Sequence, residues 1–151
     1  GSFSGIQRRF EVHIKSGSMV LIDDYAHHPK EIEATLRSLR ELYPDKKLTG
    51  IFQPHLFTRT RDFAGEFAAS LGLLDELILL DIYPARELPI PGVTSDLIFR
   101  DVPIANKTCC TKDTLLQELK KRPIEVLITL GAGDIDKLVE PIARMYRKEG
   151  Q

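Results

Sequence analysis

Short apolar runs of strand length recur along this chain with an amphipathic segment between each pair, and that alternation limits its fold more than any other feature. Met19–Ile22, Leu48–Phe52, Glu76–Asp81 and Glu125–Leu130 are apolar almost throughout, as strands covered on both sides must be. Between them, Ile32, Leu36, Leu39 and Tyr43 follow Pro29 at spacings of three and four, and Phe63, Phe67 and Leu71 line one face of a second segment. Both read as helices, the first with proline at its opening position. Lys112–Lys121 is expected to be a helix through Leu115, Leu116 and Leu119, and Leu138, Ile142 and Met145 lie on one side of a terminal helix, Ile135–Arg147. Thr94–Phe99 is expected to be a short helix and Lys107–Cys110 a marginal strand. At the start, Phe10–Lys15 alternates apolar and polar residues, and Ser16-Gly17-Ser18 turns it back on Met19–Ile22 as an antiparallel hairpin. Successive strand-helix-strand units predict an α/β, Rossmann-like domain, a mostly parallel sheet with helices on both faces behind that hairpin.

Length and charge narrow the function. A chain of 151 residues buries roughly 68–70% of its unfolded surface, enough for a core without a metal or disulfide. With 21 Lys and Arg against 22 Asp and Glu, it lacks the basic excess of a nucleic-acid binder. Its apolar runs fall far short of the ~20 residues of a membrane span, and no apolar signal region opens it, so a cytoplasmic protein is expected. The two cysteines, Cys109 and Cys110, are adjacent, where ordinary disulfide geometry is hard to reach, and a reducing compartment suits them. Residues 1–3 read as the remnant of a cleaved affinity tag, with one domain over 4–151.

In an open parallel sheet, ligands bind beyond the carboxyl ends of the strands. The polar residues of this chain concentrate there: Asp23-Asp24-Tyr25-Ala26-His27-His28-Pro29 after the second strand, Gln53-Pro54-His55-Leu56-Phe57-Thr58-Arg59-Thr60-Arg61-Asp62 after the third, and Gly131-Ala132-Gly133-Asp134 after the last. Asp24 is placed either to accept two ribose hydroxyls or to cap the next helix. Arg59 and Arg61 open a helix, where guanidinium forks meet a carboxylate or phosphate, although Arg61 has internal partners at hand in Asp62 and Glu66. The Gly131-x-Gly133 turn departs from a dinucleotide fingerprint, because Asp136 stands where a third glycine belongs. Asp23, Asp24, His27 and His28 have metal-ligand chemistry but not metal-ligand spacing, since neighbours on a strand face opposite ways, and no protein metal site is expected. The Ile82–Ser95 stretch, with Pro84, Pro89, Pro91 and Gly92, reads as a long ordered loop at the functional edge. A phosphate loop, a nucleophile elbow and a supported Cys-His pair are all absent, so these loops look like half of a site.

Taken in order, Arg8-Arg9-Phe10-Glu11, Asp23 to Pro29, Phe52-Gln53-Pro54-His55, Thr58 to Asp62, Ile82-Tyr83-Pro84-Ala85, Pro89 to Gly92 and Gly131 to Asp134 resemble the C-terminal domain of the Mur ligases of peptidoglycan synthesis, of the branch that couples L-alanine to UDP-N-acetylmuramate. The resemblance covers nearly the whole chain. It implies a longer enzyme in which an N-terminal domain holds the UDP-sugar and a central ATPase domain holds the phosphates. ATP and magnesium phosphorylate the muramoyl carboxylate, and the alanine amino group attacks the acyl phosphate. Arg9 and Asp24 match ATP contacts, and Tyr25, His27, His55 and Arg59 match positions lining the amino acid, with Arg59 on its carboxylate. His28, Arg61, Gly131 and Gly133 are second choices. The resemblance assigns this domain no catalytic residue and no metal ligand, and implies that alone it is inactive with no cofactor bound. Leu56 stands where many relatives carry a basic residue.

Two alternatives remain at this point. One is the domain of the ligase that reattaches recycled murein tripeptide, which shares the Asp-Asp-x-Ala-His-His-Pro motif. The other is a free-standing nucleotide- or anion-binding module, with a histidine-based metallohydrolase more distant.

Overall fold

The computed structural model describes residues 10–149. Arg9 and the expected tag remnant lie outside the described residues. Six strands form one sheet: β1 (Glu11–Lys15), β2 (Val20–Asp24), β3 (Leu48–Phe52), β4 (Glu76–Leu79), β5 (Lys107–Cys109) and β6 (Val126–Leu130). Their spatial order is β1-β2-β6-β3-β4-β5. Only the β1/β2 hairpin is antiparallel, and the remaining pairs are parallel. The helices are α1 (Pro29–Leu42), α2 (Phe57–Leu71), α3 (Asp96–Phe99), α4 (Leu115–Lys120) and α5 (Asp136–Glu149).

Handedness explains which face each helix covers. From β2 through β3 and β4 to β5 the chain crosses the sheet in one direction, and it returns from β5 to β6 in the other. Right-handed crossovers therefore send α1, α2 and α3 to one face and α4 to the opposite one. The cores agree. Ile32, Leu36, Phe67, Leu71 and Ile98 pack on Ile22, Leu48, Phe52 and Leu130, whereas Leu115, Leu119 and Ile142 pack on Leu21, Ile51, Ile78 and Leu127. Neighbouring strand residues thus feed opposite cores, as the period of two requires. This arrangement bears out the expected Rossmann-like α/β domain with an N-terminal hairpin.

Several local expectations shift, and α4 begins only at Leu115, with Lys112 and Asp113 in the turn before it. The α2 helix starts at Phe57, earlier than its apolar stripe indicates, and is interrupted at Phe63 (φ −123°, ψ 19°), which leaves Phe67 and Leu71 as its buried anchors. The β4 strand ends at Leu79, yet Leu80 stays buried with its N–H on Phe52 O at 2.9 Å. In α5 the fully covered residues are Val139, Ile142 and Ala143, with Leu138 and Met145 half-buried beside them, because the helix docks slightly rotated from its most apolar line. No helix among the described residues is long and apolar enough to cross a membrane.

Candidate functional site

Because β6 lies between β2 and β3, the loops after these three strands are neighbours although they are distant in sequence. This is the switch point of the sheet, where the neighbouring strand ends lead to helices on opposite faces, α1 and α2 on one and α5 on the other.

Asp23 and Asp24 face opposite sides. The Asp23 carboxylate accepts from Thr129 Oγ1 at 2.6 Å. That of Asp24 accepts from Ala26 N at 2.8 Å, Thr35 Oγ1 at 3.2 Å and Phe10 N at 3.3 Å, and Asp24 is fully buried. Asp24 therefore ties the turn after β2 to α1 instead of capping the helix. The α1 cap comes from Glu31, whose Oε1 accepts from the backbone of His27 (3.1 Å) and His28 (3.2 Å).

This folding presents Tyr25 and His27 edge to face, 5.3 Å between ring centroids. His27 in turn meets His55 edge to face at 6.0 Å, and His55 stacks on Tyr83 at 5.6 Å. Four rings from three loops form one run. Arg59, one helical turn beyond His55, places Nη1 3.1 Å from His55 Nδ1. Burial, then the Arg59 charge and then His27 push the His55 imidazole below its ordinary pKa, so it resists protonation.

Leu56 gives α2 an unusual start. Its φ of 76° lies in the left-handed region, which costs a non-glycine residue on the order of 1–3 kcal/mol, and its side chain has no oxygen to cap the helix. Both deficits are met from the 82–87 loop. Leu56 N donates to Tyr83 O at 2.8 Å and Tyr83 N to Pro54 O at 2.8 Å. The Glu87 carboxylate accepts from Thr58 N at 3.0 Å and Thr58 Oγ1 at 2.5 Å, and the Thr58 hydroxyl bond holds that carboxyl below its ordinary pKa.

Gln53 closes the other side. Its Nε2 donates to Asp134 Oδ1 at 2.6 Å and its Oε1 accepts from Ile135 N at 3.0 Å, while Lys112 pairs with Asp134. Burial raises the Asp134 carboxyl, but the bonds from Lys112 and Gln53 together outweigh it and leave a lowered pKa. A cleft of about 380 Å³ opens here, lined by Gln53, Asp81, Tyr83, Lys112 and Asp134 among others.

The second choices separate from this group. His28 tilts onto Phe63 at 5.3 Å, and exposed Arg61 pairs with Asp62 at 2.8 Å. Gly131 has φ 146°, and a Cβ on Gly133 would come within 2.6 Å of both Gln53 Oε1 and the Tyr83 ring, so this turn is a packing surface for those two residues. Sequence reasoning gave no role to Tyr83, Glu87 or Gln53. The one usable signal was the helix start at Leu56, which without a capping oxygen demands an acceptor from elsewhere.

Among the described residues, Glu11, His13 and Asp23 alone bring three potential metal-ligand atoms within 4.8 Å of one another. An imidazole and a carboxylate already engaged by Thr129 do not suit magnesium, which takes oxygen ligands.

A mostly parallel sheet whose switch point carries two histidines and an arginine defines an α/β domain of the Rossmann-like class. Residues 8–138 match the Mur ligase, glutamate ligase domain family, and the chain belongs to that family. It is 59% identical over 148 residues to the UDP-N-acetylmuramate--L-alanine ligase of Parabacteroides distasonis, covering 98% of this chain and 32% of that protein. To the ligase of the same name from Phocaeicola vulgatus it is 58% identical over 149 residues, again 98% and 32%. The chain thus spans about a third of the length of these relatives. The crystal structure of UDP-N-acetylmuramate-alanine ligase from Thermotoga maritima superposes with a TM-score of 0.76 at 25% identity, over 98% of this chain and 32% of that one. A murein peptide ligase from Psychrobacter arcticus shares the fold, with a TM-score of 0.70 at 16% identity over 91% of this chain and 29% of that one.

Proposed function

We propose that this chain is the C-terminal domain of an ATP-dependent ligase that joins L-alanine to UDP-N-acetylmuramate through an acyl phosphate, and that it supplies contacts to ATP and to the amino acid. The observation carrying this reading is the single cluster of Tyr25, His27, His55 and Arg59 at the switch point. These are the four positions that the family resemblance gives to the amino acid. Arg59 uses one of its five N–H donors on His55 and has others for a carboxylate in fork geometry. Arg9 and Asp24 face the nucleotide in this reading. The Asp24 carboxylate is fully buried and already accepts from Phe10 N, so a ribose hydroxyl reaches it only by displacing groups that now surround it. Magnesium neutralises phosphate charge in such reactions, and here its ligands belong to the preceding domain.

The test is amide formation by the longer polypeptide containing this domain. With ATP, magnesium and UDP-N-acetylmuramate it is expected to couple free L-alanine and not murein tripeptide. The reverse preference transfers the domain to the recycling ligase, and nucleotide binding with neither coupling makes it a recognition module.

A further inference from the structure

The two histidines of the cluster have opposite hydrogen-bond partners. His27 Nδ1 lies 3.1 Å from Tyr25 O and 3.5 Å from Glu31 Oε1. Both partners only accept, so Nδ1 must carry the proton, and neutral His27 keeps its lone pair on Nε2. His55 Nδ1 lies 3.1 Å from Arg59 Nη1. A guanidinium only donates, so here Nδ1 holds the lone pair and Nε2 carries the N–H. We infer that His27 and His55 are locked in opposite tautomers, so that His27 Nε2 takes the proton of the incoming ammonium group and His55 Nε2–H donates a hydrogen bond to the substrate. The tautomers follow from the geometry alone, and the proton-transfer role rests on the amino-acid site of the proposed function.

Charge points the same way. With the rings 6.0 Å apart, the pair tolerates one positive charge more easily than two. A proton on His27 sits beside Glu31, whereas one on His55 must break the Arg59 contact and face the guanidinium. In the step itself the N–H bond of the ammonium breaks and its proton goes to His27 Nε2. The nitrogen lone pair then forms the C–N bond with the acyl phosphate carbon, and the C–O bond to phosphate breaks with its electron pair leaving on phosphate. Phosphate takes the second amine proton, and His27 returns its proton to water. A domain expected to contribute only binding residues thereby contributes a base.

The tautomers can be read directly on this chain, by nitrogen-15 correlation spectra of its histidines at mildly alkaline pH. The expected result is a protonated Nδ1 on His27 and a protonated Nε2 on His55. The same tautomer on both rings, or the reverse pair, overturns the inference. In the full-length ligase one substitution at both sites tests the roles. His55→Gln keeps an N–H donor near the Nε2 position but loses the ring contact to Arg59, so it is expected to raise the Michaelis constant for alanine and to cost kcat far less than the same change at His27. His27→Gln keeps a polar amide near the Nε2 position but has no basic lone pair, so kcat is expected to fall about 100-fold or more, within the range of general-base loss. The acid limb of the pH profile should disappear with it. The groups facing the pair are Tyr25 and Glu31 at His27, and Arg59 and Glu87 at His55. Hydroxylamine, unprotonated at neutral pH, should bypass the missing base and still trap the acyl phosphate in the His27 variant. Equal losses with alanine and hydroxylamine, or an acid limb removed by His55→Gln instead, overturn the assigned roles. An unsubstituted ligase that couples neither amine tells against the proposed activity, while the spectra decide the tautomers independently.

Discussion

The imidazole of His55 lies flat on the ring of Tyr83, with centroids 5.6 Å apart and planes inclined by 14°. The backbones of the two residues also form a parallel bridge, so the stack is fixed at both ends. Tyr83→Phe keeps this face and is expected to leave alanine binding by the full-length ligase within about threefold. Tyr83→Ala removes an aromatic contact of roughly 0.5–1.5 kcal/mol and should raise the Michaelis constant for alanine about threefold to tenfold. Isotherms and steady-state rates on both variants check this.

Arg59 is expected to be intolerant of lysine. A planar fork makes two parallel bonds to a carboxylate that an ammonium does not reproduce. Losing one charge-assisted bond costs roughly 1.5–3 kcal/mol, and tenfold is about 1.4 kcal/mol. Arg59→Lys should therefore raise the Michaelis constant for L-alanine by about one to two orders of magnitude and leave that for ATP nearly unchanged. Arg61→Lys, with its pair to Asp62 on the surface, should be milder.

His55 should titrate below the ordinary 6.5 in the folded chain. Arg59→Gln removes the second of the causes and leaves burial, the largest, so the pKa should rise only part of the way back. Because the folded state resists a proton that the unfolded state accepts, His55 lowers stability as pH falls below about 6.5. Proton-detected titration of the imidazole and denaturant melts between neutral and mildly acidic pH measure the two effects. A pKa unmoved by Arg59→Gln would contradict the contact.

For Glu87 the sign is opposite. Its carboxyl is held below 4.5 by Thr58, so the bond stabilises the fold above that pH and is lost as pH falls through the folded pKa. Glu87→Gln should remove this acid-dependent component and loosen the start of α2, seen as faster amide exchange at Phe57 and Thr58 with the β-sheet amides unchanged.

Gly133→Ala places a methyl 2.6 Å from both Gln53 Oε1 and the Tyr83 ring. Overpacking of this kind costs about 1–3 kcal/mol, and for a domain of this size each kcal/mol shifts Tm by roughly 2–4 °C. A calorimetric Tm equal to the parent's would show that the turn relaxes freely.

The order of strands and helices was legible before any coordinate, because each signal is local. Ile32, Leu36 and Leu39 recur at the helical period, Val126 to Leu130 are apolar on both strand faces, and Ser16-Gly17-Ser18 closes a hairpin whatever surrounds it. The site's address was legible for the same reason, since Asp24, His27, His55 and Arg59 all follow strand ends. What the tertiary structure decided are relations across loops. Glu87 meets Thr58 from 29 residues away because β4 pairs with β3, and Gln53 meets Asp134 from 81 because β6 pairs with β3, and no periodicity encodes which strand ends become neighbours. The same holds within the site. His27 and His55 are the same residue type in similar settings, and only the atom facing each Nδ1, a carbonyl in one case and a guanidinium in the other, makes one of them a base and the other a donor.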